Sequence, residues 1–193
     1  SSWKDVPDLC ELTLSVNVSA RQFHHPNFLG QVKHTLEKTG ADPLRLKLEL
    51  TESIFAEDIE GIIAKMGALR DLGLRFSLDD FGTGYSSLSY LKKLPLDQLK
   101  IDQSFIRDIT SDNSDGAIVQ TIIALGQSLG LEVIAEGVES PAQREFLKMN
   151  GCVLYQGYLF GRPISSSEFI QNIAIRPPMA SPNSPSCGHP KFP

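Results

Sequence analysis

Six times along this chain a strand-length apolar stretch is followed by a helix-length one, and that rhythm restricts the fold to a parallel sheet covered by helices. In residues 11–19, Leu12, Leu14, Val16 and Val18 face one way and Thr13, Ser15 and Asn17 the other. Residues 44–50 repeat the alternation, with Leu44, Leu46, Leu48 and Leu50 opposed by Arg45, Lys47 and Glu49. Further strands are predicted over 74–80, 96–102, 131–136 and 152–160. Helices are predicted between them. One carries Phe28, Val32 and Leu36 and stops at Gly40; the next carries Ile59, Ile62, Ile63, Met66 and Leu69 and stops at Gly73. A short helix runs from about Ser87 to Lys93, ahead of Pro95. A long one spans Asp115 to Leu129, and a capped one starts at Ser140-Pro141-Ala142-Gln143. The last, capped by Ser165-Ser166-Ser167-Glu168, runs through Ile173, and His24-His25-Pro26 read as a surface loop.

A chain of 193 residues, 41% of them hydrophobic, builds one core. From Arg176 apolar residues become scarce and six of the twelve prolines occur, so 1–175 reads as the domain and 176–193 as a disordered tail. The net charge of −5 argues against a broad grip on duplex nucleic acid, which needs a basic face. An acidic protein still binds a single phosphate ester where metal ions supply the positive charge. Cys10, Cys152 and Cys187 form no C-x-x-C pair and read as reduced thiols in a cytoplasmic protein. The chain does not open with Met, which suggests a piece excised from something longer.

Lining up the strands exposes one regularity. Opposite its apolar face, each ends on a residue useful to metal or phosphate chemistry: Asn17, Glu49, Asp79, Lys100, Glu136 and Gln156. Singly, these read as a buried amide, a solvated strand end or a turn aspartate. Together, all at carboxyl ends, they point to one shared site. A closed (β/α)8 barrel brings such ends to one face, whereas an open sheet spreads them along an edge, so the TIM-type barrel is the predicted fold, with about six βα units present. Four carboxylates (Glu49, Asp79, Asp80 and Glu136), an amide and a lysine suit a pair of Mg²⁺ or Mn²⁺ ions. The predicted chemistry is hydrolysis of a phosphate ester.

Asn17-Val18-Ser19, Glu49-Leu50-Thr51-Glu52, Asp79-Asp80-Phe81-Gly82-Thr83-Gly84, Leu99-Lys100-Ile101-Asp102, Glu136-Gly137-Val138-Glu139 and Gln156-Gly157-Tyr158 resemble, in order, the motifs of the EAL domain. The resemblance covers about residues 11–173. It implies a bacterial phosphodiesterase that opens cyclic di-GMP to linear pGpG. It also implies that Asn17, Glu49 and Asp79 ligate one metal, with Asp79 bridging to a second near Asp80 and Glu136. Lys100 then orients the attacking water, and Glu136 is the alternative proton acceptor. Glu52 braces the loop at 81–89, which in the family couples the metal site to dimerisation. Gln156, Glu139 and Asp80 complete the substrate side. A homodimer and fused upstream sensory or cyclase domains are further implications, and the parent could be membrane-anchored.

One departure stands out. The Glu-Ala-Leu motif itself, whose glutamate is a ligand in the family, does not occur in this sequence. About two strands are missing by the same count. A receptor that binds cyclic di-GMP without cutting it is therefore the alternative function. An enolase-like barrel is a third reading that the loop motifs do not support.

Overall fold

The computed structural model describes residues 12–56, 58–84 and 88–174. Trp3, Cys10, Tyr85-Ser86-Ser87, Cys187 and the tail lie outside the described residues. Thr13–Gly161 form one compact unit; Leu12 and the described residues from Arg162 onward belong to another.

The strands are β1 (Leu14–Asn17), β2 (Leu46–Thr51), β3 (Arg75–Phe81), β4 (Gln98–Ile101), β5 (Glu132–Ala135) and β6 (Leu154–Tyr155). They form one sheet in the order β1-β2-β3-β4-β5-β6, and every neighbouring pair is parallel. A doubly wound sheet reverses its order partway. This one never does, so each crossover advances the same way and the sheet forms a partial (β/α)8 barrel.

The intervening helices are α1 (Ala20–His24), α2 (Phe28–Thr39), α3 (Ile59–Arg70), α4 (Leu88–Leu91), α5 (Gln103–Arg107), α6 (Asn113–Ser128) and α7 (Pro141–Met149). Outward residues of the strands (Leu48, Leu50, Phe76, Leu78, Leu99, Ile101, Val133 and Ala135) are buried with Ile62, Met66 and Leu69 of α3, Val119, Ile122 and Ile123 of α6 and Leu147 of α7. Removing that apolar surface from water is the main stabilising term. In the second unit, α8 (Ser166–Ala174) follows Ser165, whose hydroxyl accepts from the Glu168 N–H while the Glu168 carboxylate accepts from the Ser165 N–H.

Some boundaries differ from the sequence reading. The expected loop at His24 contains α1, because Ser19 and Gln22 make a reciprocal capping box. His24 Nε2 is hydrogen-bonded to the Ile54 carbonyl at 3.1 Å. The sixth strand is only Leu154–Tyr155, so Gln156-Gly157 lie past its end. Gly157, at φ +153°, packs directly on the Val138 backbone, and a Cβ there would collide with it. Cys152 is buried, its thiol donating to the carbonyls of Val133 and Leu154. Burial pushes that thiol upward, away from reactivity.

Candidate metal centre

The barrel's inner face is polar where such interiors are ordinarily filled by branched apolar side chains. Glu49, Ser77, Gln98 and Lys100 are 9%, 0%, 6% and 4% exposed, so charged and amide groups are out of water at the middle of the sheet. Burying them is costly unless they are paired. They are paired. Ser77 Oγ donates to Gln98 Oε1 at 3.2 Å, and register sets Glu49 beside Ser77 and Ser77 beside Gln98.

Lys100 is the hub. Its Nζ lies 2.8 Å from Glu49 Oε2, 2.9 Å from Asp79 Oδ1 and 2.6 Å from Glu136 Oε1. These partners come from β2, from β3 and from the loop just after β5. On a flat sheet β2 and β5 would stand about 14 Å apart, at about 4.8 Å per strand. That one ammonium reaches carboxylates from both shows that the face is concave. Burial alone would depress the lysine, but the hydrogen bonds it donates to Glu136, Glu49 and Asp79 outweigh it and hold its pKa well above the ordinary range. The ammonium is therefore charged at neutral pH.

Asp80 reaches the same side by a distortion. In a regular strand, neighbours point to opposite faces. Between β3 and β4, however, the register runs Leu78↔Leu99 and then Phe81↔Ile101, so two residues oppose Lys100 alone. Asp80 takes up the extra residue at φ +53°, a left-handed conformation that aspartate tolerates better than most. As a result Asp79, Asp80 and Glu136 each place a carboxylate oxygen within 4.8 Å of the others. Burial first, and then Asp79 and Asp102, raise the Asp80 carboxyl. Burial likewise raises Glu136, with Asp79 and Glu49 adding to it against the pull of Lys100. Three hard oxygen donors crowded this closely, with only one ammonium among them, fit a divalent cation of the Mg²⁺ or Mn²⁺ kind.

The other predicted residues are distributed around this core. Gln156 Nε2 donates to Glu136 Oε1. Glu52 Oε1 accepts from the Gly82 N–H at 2.8 Å, and its second oxygen is buried against Gly84 with no partner among the described residues. A Cβ at Gly84 would press on that oxygen. Asn17 faces the same way as Glu49, with which it is in register, but from an exposed edge strand. The Glu139 carboxylate makes no hydrogen bond or ion pair with a described residue; its N–H is held by Gln143. Asp102 carried no role in the sequence reading. It caps α5 through Ser104; burial works against its ionisation, but the Ser104 bonds lower it overall. Its position at the carboxyl end of β4 was the available signal.

A polar concave face at the carboxyl ends of a parallel barrel, with carboxylates gathered around one lysine, makes a candidate metal site of the barrel class. The profile of the EAL domain matches residues 2–163, and the chain belongs to that family. The cyclic di-GMP phosphodiesterase NbdA of Pseudomonas aeruginosa is 45% identical over 177 residues, spanning 89% of this chain and 23% of NbdA. Among solved structures, the PaMucR phosphodiesterase in complex with c-di-GMP superposes with a TM-score of 0.79 at 44% identity, covering 83% of this chain and 65% of the other. The manganese and cyclic di-GMP complex of Klebsiella pneumoniae BlrP1 gives 0.74 at 32% identity, covering 84% and 42%. The chain thus spans about a quarter of the curated relatives' length.

Proposed function

We propose that this chain carries the carboxylate and lysine machinery of a phosphodiesterase that hydrolyses cyclic di-GMP to linear pGpG with Mg²⁺ or Mn²⁺. The observation that carries the reading is the buried Lys100 bound to Glu49, Asp79 and Glu136 beside the bulge at Asp80. A barrel interior has no structural need for that arrangement. Asp79, Asp80, Glu136, Glu49 and Asn17 would hold a pair of ions. When bound, such ions neutralise phosphate charge and make water a stronger nucleophile.

The chain's own groups divide the remaining work. Lys100, held protonated, is a poor base and a good orienter of water and phosphate oxygen. Glu136, with its carboxyl raised by burial, is the better proton acceptor. Gln156 fixes one Glu136 oxygen, and its placement beyond β6 suits contact with the reacting phosphate. Glu139 supports the rim. Glu52 braces the loop after β3 through Gly82, the route by which the reading links the site to a homodimer. Further domains in the parent protein are supported by how little of the relatives this chain spans. Cytoplasmic placement belongs to the same reading; among the described residues no helix is long and apolar enough to cross a membrane.

A receptor that binds cyclic di-GMP without cutting it is the second reading. Conversion of cyclic di-GMP to pGpG in Mn²⁺ separates the two. The chain extended upstream through a Glu-Ala-Leu strand should turn over at least about a hundredfold faster than the chain alone, because a missing ligand loosens the geometry. Binding with no turnover by the extended protein would establish the receptor. Equal rates would refute the need for the further ligand.

A further inference from the structure

We propose that Gln143 is a positioning residue for the metal centre, locking the loop that carries Glu136 to the helix that follows β4. The inference rests on the reading of the carboxylate cluster as a metal site.

Gln143 is buried in the first turn of α7 and uses its carboxamide completely. Its Oε1 accepts from the N–H groups of Glu139 (2.8 Å) and Ser140 (2.9 Å). Its Nε2 donates to the carbonyls of Ile106 (3.0 Å) and Arg107 (3.2 Å), at the far end of α5. A helix cap accounts for only part of this. The reciprocal bond between Ser140 and the third helical residue is served equally by Glu or Gln. Only an amide, however, can also donate to two carbonyls of another helix.

The four bonds tie the loop that carries Glu136 to α5, and α5 also packs against the loop after β3. In the first of these loops, the Glu136 N–H is held by the Ile101 carbonyl at 3.2 Å and the Val138 N–H by Gln156 at 3.0 Å. Gly137, at φ +70°, packs so closely on Gln103 that a Cβ would stand 2.7 Å from that side chain. The loop therefore rests on α5 at its start, and Gln143 ties it to α5 at its end. In the loop after β3, Gly82 packs on Phe105 of α5, where a Cβ would stand 2.9 Å from the ring. Glu136 is thus registered, through α5, against the loop that follows Asp80, although β4 separates their strands. Groups standing behind metal ligands typically change metal affinity by about ten- to a hundredfold when removed.

Mn²⁺ titration of the chain, followed by electron paramagnetic resonance, tests this in the wild type, in Gln143→Glu and Gln143→Ala, and in the core control Ile123→Val. Gln143→Glu is the discriminating variant, since it keeps the cap and severs the link to α5. Both Gln143 variants should weaken Mn²⁺ binding by about tenfold or more, while Ile123→Val, though less stable than wild type, binds as wild type does. Wild-type affinity in a folded Gln143→Glu would overturn the proposal alone. No Mn²⁺ binding by the wild-type chain would overturn the metal-site reading and the proposal with it. Should neither Gln143 variant fold, hydrogen exchange in the wild type decides. Mn²⁺ should slow exchange at the Glu139 and Ser140 amides, because the coupling is reciprocal. Unchanged exchange there would overturn the proposal.

Discussion

Asp79 and Asp80 are consecutive in a β-strand, yet their carboxylates lie on one side of it, together with that of Glu136. The extra residue between Leu78 and Phe81 and the left-handed backbone of Asp80 make this possible. The arrangement opposes stability, since like charges at this distance repel and both are partly desolvated.

Asp80→Asn should therefore stabilise the metal-free protein. Asparagine accepts the left-handed conformation, so the bulge survives. The raised Asp80 carboxyl means that the fold favours its protonated form. Its favourable contribution is present below the ordinary value of 3.8 and is lost as pH rises through the raised one, leaving a charge that opposes folding at pH 7. Thermal melts at pH 7 without metal should give a higher Tm for the variant, and Mn²⁺ titration a weaker site. A lower Tm would mean that Asp80 is paired better than its neighbours indicate.

Lys100 is expected to behave in the opposite sense. Its ammonium is stabilised by folding, so its contribution is fully present below 10.5, the ordinary lysine value, and fades only as pH rises through the higher folded one. Lys100→Met leaves one buried carboxylate, Glu49, and two half-buried ones, Asp79 and Glu136, without their cation, which should cost about 3–5 kcal/mol at neutral pH. Denaturant unfolding from pH 6 to 11 should show a gap from wild type that holds until about pH 10 and then narrows. A gap already closing near pH 8 would mean that the lysine is not held charged.

The apolar periodicity and the register of Asn17, Glu49, Asp79, Lys100, Glu136 and Gln156 made the sheet and its polar face legible in the sequence. What stayed illegible was local. Alternation alone sends Asp80 to the wrong face, because a bulge is written in backbone dihedrals and not in hydrophobicity. The short sixth strand was overextended because Leu154 to Phe160 is apolar enough for sheet, whereas the contact of Gly157 with the Val138 backbone ends it. The capping box is legible in the sequence, since Ser19 is followed three residues later by Gln22. Gln143 was seen only as a cap, since its bonds to Ile106 and Arg107 span 37 and 36 residues of sequence.

Two glycines should respond oppositely to alanine. Gly67, inside α3, has nothing within 4 Å of a would-be Cβ. Gly67→Ala should stabilise by about 0.4–1 kcal/mol through the unfolded chain's lost freedom. Gly157→Ala drives a methyl into the Val138 backbone, which cannot yield as a flexible side chain would. It should cost about 1–3 kcal/mol and loosen the contact between Gln156 and Glu136. Chemical denaturation of both variants checks the signs; stabilisation by Gly157→Ala would contradict the packing described.

The central claim is that the inner-face carboxylates form a divalent metal site. An anomalous difference map from crystals of this chain grown in millimolar Mn²⁺ tests it most directly. The account predicts a peak bounded by Asp79, Asp80 and Glu136, with Lys100 retained beside Glu49. A strong peak elsewhere, with the space between those three carboxylates empty, would contradict it.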